Sequence, residues 1–327
     1  MTPALETFRD WVPIRFYRRE AAPFVDWCYM GDARFTHPFF ADTIRRRMSQ
    51  PFNLLFRHQT PIEFLGELCE FDSVIPPTGF IFHMSRCGST LVAQMLAALP
   101  ENVVISEAPP IDSAVGAKGS DSEDGMRAEW LRWMVGAFAR KRNFAEQNFF
   151  IKFDSWNVLD LEFITDVFPD VPWIFLYRNP VEVIVSQMRQ RGSQMVPGAM
   201  DTLLPGVSFT EEVQMPAEEY CARVLARFCS SALKYAGSKK ALLVNYDQLP
   251  GAVAGGIGTH FGVTFTRDEI DRMNSASKFD AKTPQIFFES DTERKRTGAS
   301  GAAREAAARW VHPLYEQLEI IGSSFTK

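Results

Sequence analysis

Phe-Ile-Phe-His-Met-Ser-Arg-Cys-Gly-Ser-Thr-Leu-Val, residues 80–92, is the stretch that decides the fold. An apolar run, Phe80–Met84, ends in a short turn of small and basic residues, and a helix-compatible run, Leu91–Leu99, follows at once. A strand, a turn and a helix in this order direct free backbone N–H groups and the positive end of a helix dipole at one point. The turn therefore predicts a binding site for an anion, most simply a phosphate.

This turn differs from the Walker A loop of ATP-binding proteins, which reads G-x-x-x-x-G-K-[ST]. Ser89 stands where the Walker lysine would be, and the cation has moved to Arg86. The missing lysine argues against ordinary ATP chemistry. Cys87 is either a reactive thiolate beside Arg86 or a small residue that the turn requires. The residues that we expect to hold the phosphate are Arg86, Cys87, Gly88, Ser89 and Thr90.

Further apolar runs alternate with helical patterns along the chain and predict parallel strands. These runs cover residues 102–105, 148–153, 173–177 and 241–245. Together with the first strand they predict an α/β fold with a doubly wound, mostly parallel sheet of about five strands. Such sheets bind their ligands at the carboxyl ends of the strands, where the polar motifs of this chain lie.

The composition is that of an ordinary globular protein, with 327 residues, 46% hydrophobic and 23% charged. The net charge of −5 argues against a nucleic-acid partner. Five cysteines without metal-ligand spacing predict reduced thiols and a cytoplasmic location. Because the sequence contains no run of 18 apolar residues and no signal-peptide pattern, we expect no membrane partner.

A second motif follows the apolar run at residues 173–177. Arg178 lies at the end of that predicted strand, and Ser186 lies about two helical turns into the next helix. An arginine fork and a hydroxyl at this spacing can hold a second phosphate. Alternatively, Arg178 caps the sheet through a carboxylate and Ser186 packs in the core. Two phosphate sites on one sheet favour a nucleotide with phosphates at both ends.

The two motifs together resemble the sulfotransferase family. S-R-C-G-S-T-L, residues 85–91, is similar to its 5′-phosphosulfate loop, and Y-R-N-P-V-E-V-I-V-S, residues 177–186, is similar to its 3′-phosphate motif. Arg86, where the cytosolic animal enzymes have lysine, points to the bacterial and tyrosylprotein-type branches. The resemblance covers residues 78–320 in layout. It implies a P-loop-like three-layer α/β sandwich, the co-substrate 3′-phosphoadenosine 5′-phosphosulfate (PAPS), and no metal.

The same resemblance suggests which residues carry the chemistry. In the tyrosylprotein-type branch a glutamate at the place of Glu107 is the general base, and the family has a lysine at the place of Lys152 that contacts the phosphosulfate. With Arg86, these residues form the predicted catalytic set. Glu107 could instead be a structural carboxylate, in which case Asp154 is the alternative base. The chain reads K-F-D where many members read K-T-P or K-T-H, which leaves a donor contact by threonine in doubt.

Two weaker matches complete the predicted nucleotide site. Arg294 and Lys295, in a basic loop before the last helix, partly match a C-terminal R-K-G loop that holds the 3′-phosphate in cytosolic members. A solvated basic loop explains them as well. Trp156 either stacks on adenine, as an aromatic residue does in family members, or belongs to the core.

We expect one domain over residues 1–327, with a helical N-terminal extension (1–75) and lid segments at 110–145 and 192–236. The resemblance implies an acceptor with a hydroxyl or an amine, on a small molecule or a peptide that the motifs do not identify. Its recognition is expected in residues 1–75, in the acidic loop 116–125, or in 192–216. Two other functions stay open: a nucleotide-dependent small-molecule kinase with a degenerate P-loop, and a non-catalytic protein that binds PAPS or its desulfated product.

Overall fold

The structure is a computed structural model that describes residues 5–324 except 21, 118–120, 201–202, 284 and 290. Its strands form one antiparallel and one parallel sheet. The strands are β1 (Trp11–Arg19), β2 (Ala22–Tyr29), β3 (Gln59–Pro61), β4 (Pro77–His83), β5 (Asn102–Ser106), β6 (Asn148–Lys152), β7 (Trp173–Tyr177) and β8 (Ala241–Asn245).

Helices flank the parallel sheet and connect its strands. The α-helices are α1 (Phe40–Met48), α2 (Pro51–Leu55), α3 (Glu63–Phe71), α4 (Ser89–Ala97), α5 (Pro109–Gly116), α6 (Asp121–Phe138), α7 (Leu161–Val167), α8 (Pro180–Arg189), α9 (Phe209–Gln214), α10 (Ala217–Tyr235), α11 (Gly258–His260), α12 (Arg267–Ser277), α13 (Thr292–Thr297), α14 (Gly301–Ala306) and α15 (His312–Ser324). Short 3-10 turns and two π-helical segments, Val253–Ile257 and Ala307–Val311, join some of them.

The parallel sheet confirms the predicted α/β fold. Its strand order is β5-β6-β4-β7-β8. The inner strands are apolar on both faces, because helices cover both sides of a parallel sheet. For example, Phe82 pairs in register with Phe175 of β7, and both side chains are fully buried.

This strand order fixes where a ligand can bind. From β4 in the centre, the chain first builds β5 and β6 on one side and then β7 and β8 on the other. The connections therefore diverge at the carboxyl end of β4, which leaves a crevice between the loops of β6, β4 and β7. The loop that joins β4 to α4 lies in this crevice.

The predicted helical extension, residues 1–75, is only partly helical. This region combines α1, α2 and α3 with the antiparallel sheet β1-β2-β3. Aromatic and β-branched side chains favour strands, and in β1 the side chains of Trp11, Val12 and Phe16 are buried. Three exposed arginines of the same strand, Arg15, Arg18 and Arg19, made this apolar pattern hard to recognise in the sequence.

Arg140 joins the N-terminal region to the rest of the protein. Its guanidinium is buried and donates to the carbonyl oxygens of Phe8 and Trp11. It also donates to the Asp72 carboxylate at 2.9 Å. A buried guanidinium with several acceptors keeps the two regions in a fixed arrangement, since breaking one contact leaves a buried charge unpaired.

The expectation of an acidic loop is only partly met. The predicted acidic loop 116–125 is helical from Asp121 onward as part of α6, and residues 118–120 lie outside the described residues. The assignment of residues 110–145 and 192–236 as lids stays a prediction.

Across the part of the chain that is described, no helix has the length and apolarity to cross a bilayer. All five cysteines are free thiols, and the cytoplasmic location stays a prediction.

Candidate active site

A cleft of about 660 Å³ opens at the carboxyl ends of β6, β4 and β7. It brings together most of the residues that the sequence pointed to. Of the predicted residues, those lining the cleft are Arg86, Cys87, Gly88, Ser89, Thr90, Glu107, Asp154, Trp156, Arg178, Ser186 and Lys295. Lys152 lies just beneath the surface of the cleft, and Arg294 is exposed away from its lining.

The loop between β4 and α4 has the backbone of an anion site. Ser85, Arg86 and Gly88 adopt φ angles of 77°, 53° and 85°, in the left-handed region. Such turns point successive N–H groups into one concavity, and here the N-terminus of α4 follows directly. Glycine is required at position 88 for two reasons. Its φ angle lies in the left-handed region, and a Cβ there would lie 2.6 Å from the side chain of Leu249.

Arg86 extends into the cleft with part of its hydrogen-bonding capacity unused. One terminal nitrogen donates to the carbonyl and side-chain oxygens of Gln190, at 3.1 and 3.3 Å. Its Nε is buried without a hydrogen-bond partner. Partial burial lowers the pKa of Arg86, yet a guanidinium stays charged at neutral pH. A buried donor without a partner is costly, and an anion would satisfy it.

Cys87 contributes backbone rather than side chain to this loop. Its thiol is fully buried and donates to the carbonyl oxygen of Leu176 at 3.1 Å. Burial raises the pKa of Cys87 to about 12, so the thiolate is not populated at neutral pH. The burial and this hydrogen bond favour the second interpretation of Cys87, a small side chain that the turn requires.

At the β6 end of the cleft, Lys152, Glu107 and His83 form one cluster. The Lys152 ammonium is completely buried and bonds to the Glu107 carboxylate. His83 Nε2 lies 3.5 Å from the same carboxylate and donates to the carbonyl oxygen of Phe153 at 3.1 Å. His83 Nδ1 accepts the N–H of Ser85, which ties this cluster to the anion loop.

The charges of this cluster follow from its burial. Burial opposes ionisation of Glu107, but the adjacent Lys152 ammonium and His83 hold the pKa of this carboxyl well below its usual range. Burial and the charge of Lys152 lower the pKa of His83, so the imidazole is neutral. Glu107 also has a φ of 54°, which is rare for a residue other than glycine and is typical of functional sites.

Asp154 lies beside this cluster with the opposite electrostatic character. It is half-buried, and burial together with the carboxylates of Glu107 and Asp112 raises its pKa well above the usual range. The two candidate bases thus differ: Glu107 is a paired carboxylate, and Asp154 is a carboxyl that holds its proton to higher pH.

At the β7 end, Arg178 is almost fully buried. Its Nε donates to Glu182 at 2.6 Å, and Thr292 accepts another bond at 3.0 Å. The guanidinium also lies 3.8 Å from the centre of the Tyr246 ring. The predicted pairing of Arg178 with a carboxylate is therefore present, but Glu182 accepts from only some of the N–H donors of the guanidinium.

Asp291 occupies the cation-rich part of this end. It accepts from Lys295 at 2.9 Å and lies 3.8 Å from Arg178 and 3.9 Å from Arg189. The predicted basic loop around Lys295 is instead the short helix α13, which turns Lys295 into the cleft and leaves Arg294 exposed. Arg294 therefore does not line the cleft, and its assignment to the nucleotide site stays a prediction.

Aromatic residues line both sides of the cleft. Trp156 follows β6 and donates to Asp112 at 2.7 Å, so it lies on the Glu107 side, two strands away from Arg178. This placement does not support stacking of Trp156 on a base held near Arg178. Tyr246, at the end of β8, lies on the Arg178 side and is better placed for that contact.

The sequence reasoning missed His83, Tyr246 and Asp291. His83 is the last residue of β4, and Tyr246 directly follows β8. A polar or aromatic residue at the carboxyl end of a strand in a parallel sheet is a signal that could have identified them. Asp291 carries no such signal, because only the folded chain brings its segment to Arg178.

The comparisons with known proteins identify the family of this chain. The model of the sulfotransferase family matches residues 77–267, which is more than half of the chain. The chain belongs to the sulfotransferase family. The matched residues include the anion loop, Glu107, Lys152, Arg178 and Tyr246. No match is found among curated proteins.

Several solved structures are similar to this sulfotransferase. The sulfotransferase domain of the Synechococcus PCC 7002 olefin synthase is 16% identical, covers 78% of this chain and 96% of its own, with a TM-score of 0.41. STF1 from Mycobacterium tuberculosis is 17% identical, with coverages of 76% and 80% and a TM-score of 0.44. Mouse SULT7A1, complexed with PAP, is 11% identical, with coverages of 79% and 87% and a TM-score of 0.38.

Proposed function

We propose that this sulfotransferase uses PAPS as donor and transfers its sulfuryl group to a hydroxyl or amine of a small molecule or peptide. The observation that carries this proposal is the presence of two separate cationic sites in one cleft, the β4 loop with Arg86 and the β7 end with Arg178. A nucleotide with a phosphosulfate at one end and a phosphate at the other matches both.

The residues present fit such a donor. The N–H groups of the loop, the α4 N-terminus and the unpartnered Nε of Arg86 suit the 5′-phosphosulfate. Arg178, Ser186 and Lys295 suit the 3′-phosphate, because a planar guanidinium and an ammonium recognise phosphate oxygens well. When bound, PAPS supplies a sulfuryl group that passes directly and in line to the acceptor.

Glu107 is the proposed base at the β6 end. Its paired carboxylate is ionised at neutral pH and lines the cleft, so it can accept the proton of the acceptor. When Glu107 takes up that proton, Lys152 loses its counter-ion. The buried ammonium is then free to stabilise the negative charge that develops on the leaving group. Asp154, beside Glu107, remains the alternative base.

The acceptor would enter on the β6 side, opposite to Arg178. Phe39 and Trp156 line this part of the cleft, and the Lys152 ammonium lies 5.4 Å from the centre of the Phe39 ring. Aromatic walls around a carboxylate favour an acceptor with an apolar body and one reactive hydroxyl or amine. We place acceptor recognition here rather than in the loop 116–125.

Thermal-shift and calorimetric titrations of the full chain test this proposal. We expect PAPS and its product 3′-phosphoadenosine 5′-phosphate (PAP) to bind and stabilise the protein equally well with and without EDTA. ATP with Mg²⁺ serves as the competing ligand. A clear preference for ATP with Mg²⁺ would contradict the proposal and favour the kinase alternative. PAPS binding without turnover across a panel of phenols, alcohols and amines would favour a non-catalytic binding protein.

A further inference from the structure

The protein has a net charge of −5, yet one surface outside the cleft, formed by α2 and the residue after it, exposes large apolar side chains. Phe52, Leu54, Leu55 and Phe56, in α2 and the residue after it, have exposed fractions of 43%, 56%, 77% and 52%. We call these four side chains the apolar knob. Contiguous exposed apolar groups are unfavourable in water and mark surfaces that contact a partner.

The apolar knob is held firmly in place. Asn53 is buried in its middle, accepts from the N–H of Tyr29 at 2.8 Å and donates to the carbonyl oxygens of Tyr29 and Arg47 at 2.9 and 3.0 Å. The Phe52 ring lies 4.6 Å from the Tyr29 ring and 4.8 Å from the Phe56 ring. The exposure of Leu54 and Leu55 is therefore a property of the fold.

The knob is flanked by positive charge. Residues 43–58 contain four arginines and no carboxylate. Arg45, Arg46 and Arg57 are exposed, and Arg45 pairs with Asp42 at 3.4 Å on the surface. An exposed pair of this kind contributes little, so the segment keeps a net positive charge.

We infer that the apolar knob docks on the surface of an anionic lipid bilayer. Apolar side chains flanked by arginines are the composition of segments that lie at the bilayer interface. Arginines near the surface are attracted to anionic headgroups, and exposed leucines can enter the boundary with the acyl chains. This inference departs from the sequence-based expectation of no membrane partner. That expectation rested on the missing spanning run and signal-peptide pattern, and attachment to one face of a bilayer needs neither.

The position of the knob relates docking to the cleft. Phe39 lines the cleft and directly precedes α1, and the knob follows α1. A helix of nine residues is about 13 Å long. A docked molecule would therefore hold one wall of the cleft near the bilayer. The docking surface lies outside the nucleotide site, so the inference does not depend on which nucleotide binds.

Co-sedimentation with vesicles tests the inference on the full-length protein. One set of vesicles consists of equal parts phosphatidylcholine and phosphatidylglycerol, and the other of phosphatidylcholine alone. We expect binding to the anionic vesicles that weakens with salt, and little binding to the neutral ones. Leu55→Asp should weaken the partition coefficient by about tenfold or more, since a mostly exposed leucine loses its burial in lipid. Arg46→Glu should weaken it by about fivefold or more.

Ile320→Asp is the matched control, because Ile320 is a similarly exposed residue (67%) on α15, beyond the opposite edge of the sheet. It should leave vesicle binding unchanged. Equal binding of wild type and Leu55→Asp, or no binding of the wild type to anionic vesicles, would overturn the inference. A wild-type dimer in sedimentation velocity that Leu55→Asp dissociates, without vesicle binding, would identify the knob as a self-association surface instead.

Discussion

Both ends of the cleft hold a buried cation against carboxylates, but the carboxylates are anchored differently. At the β6 end, Glu107 pairs with Lys152, and its own N–H donates to the Lys152 carbonyl oxygen at 2.8 Å. At the β7 end, Arg178 pairs with Glu182, which lies on α8 and is buried, and also faces Asp291, which precedes α13. Glu107 is thus fixed to the sheet, whereas Asp291 directly precedes the short helix α13 and lies outside the strands that the structure describes.

This difference suggests distinct roles for the two ends. A carboxylate fixed beside a lysine suits a group that must stay in place during proton transfer. A carboxylate such as Asp291, held by Lys295 and close to Arg178 and Arg189, occupies the place that we propose for a phosphate. A phosphate with more charge and more acceptor oxygens can displace it.

The largest effect is expected from Glu107→Gln. The amide keeps the size of the side chain but cannot accept a proton, so turnover should fall by about 10²–10⁴-fold. Affinity for PAP should stay nearly unchanged, because Glu107 lies at the other end of the cleft. Steady-state kinetics and calorimetry on the same preparation measure both quantities.

Asp154→Asn is the control for this experiment. Normal turnover of Glu107→Gln combined with an inactive Asp154→Asn would assign the base to Asp154. If both variants stay active, the acceptor needs no base, and Glu107 is structural.

The two carboxylates near Arg178 should respond in opposite directions. Asp291→Asn removes a partly exposed carboxylate that competes with the phosphate, so PAP should bind about fivefold more tightly. Glu182→Gln removes the buried partner that orients Arg178 and accepts from Arg296 at 2.6 Å, so PAP should bind more weakly. Calorimetry measures both, and weaker binding by Asp291→Asn would show that Asp291 supports the site.

The smallest effect concerns stability and pH. Because the pKa of Asp154 is raised in the folded protein, its contribution to stability is fully present below the ordinary carboxyl pKa and is lost as pH rises. Asp154→Asn stays neutral, so it should raise the Tm at pH 7–8 by about 2–4 °C. The difference should vanish below pH ~4. A Tm that falls at pH 7–8 would contradict the raised pKa.

The sequence predicted the parallel sheet and most of the cleft, because these features depend on local patterns. The apolar strands and the turn around Gly88 are each encoded within a few residues. Lys152 and Glu107 were recognised as strand-end residues, but their pairing depends on the register of β5 with β6. The antiparallel sheet of the N-terminal region was missed, since its strands carry arginines that obscure the period of two.

Partners that meet only in the folded chain could not be predicted. Asp291 and Arg178 are more than a hundred residues apart in sequence, and no local pattern relates them. The orientation of Cys87 toward Leu176 likewise depends on the contact between β4 and β7. Long-range pairs of this kind decide which of the predicted residues face the cleft.

We propose above all that Arg178 and Ser186 bind a 3′-phosphate. A calorimetric titration of the wild-type protein with PAP and with adenosine 5′-phosphate tests this most directly. The two nucleotides differ only in that phosphate. Loss of its charge-assisted bonds should weaken binding by about 2–4 kcal/mol, which is about 30- to 1,000-fold. Equal affinity for the two nucleotides would contradict the claim.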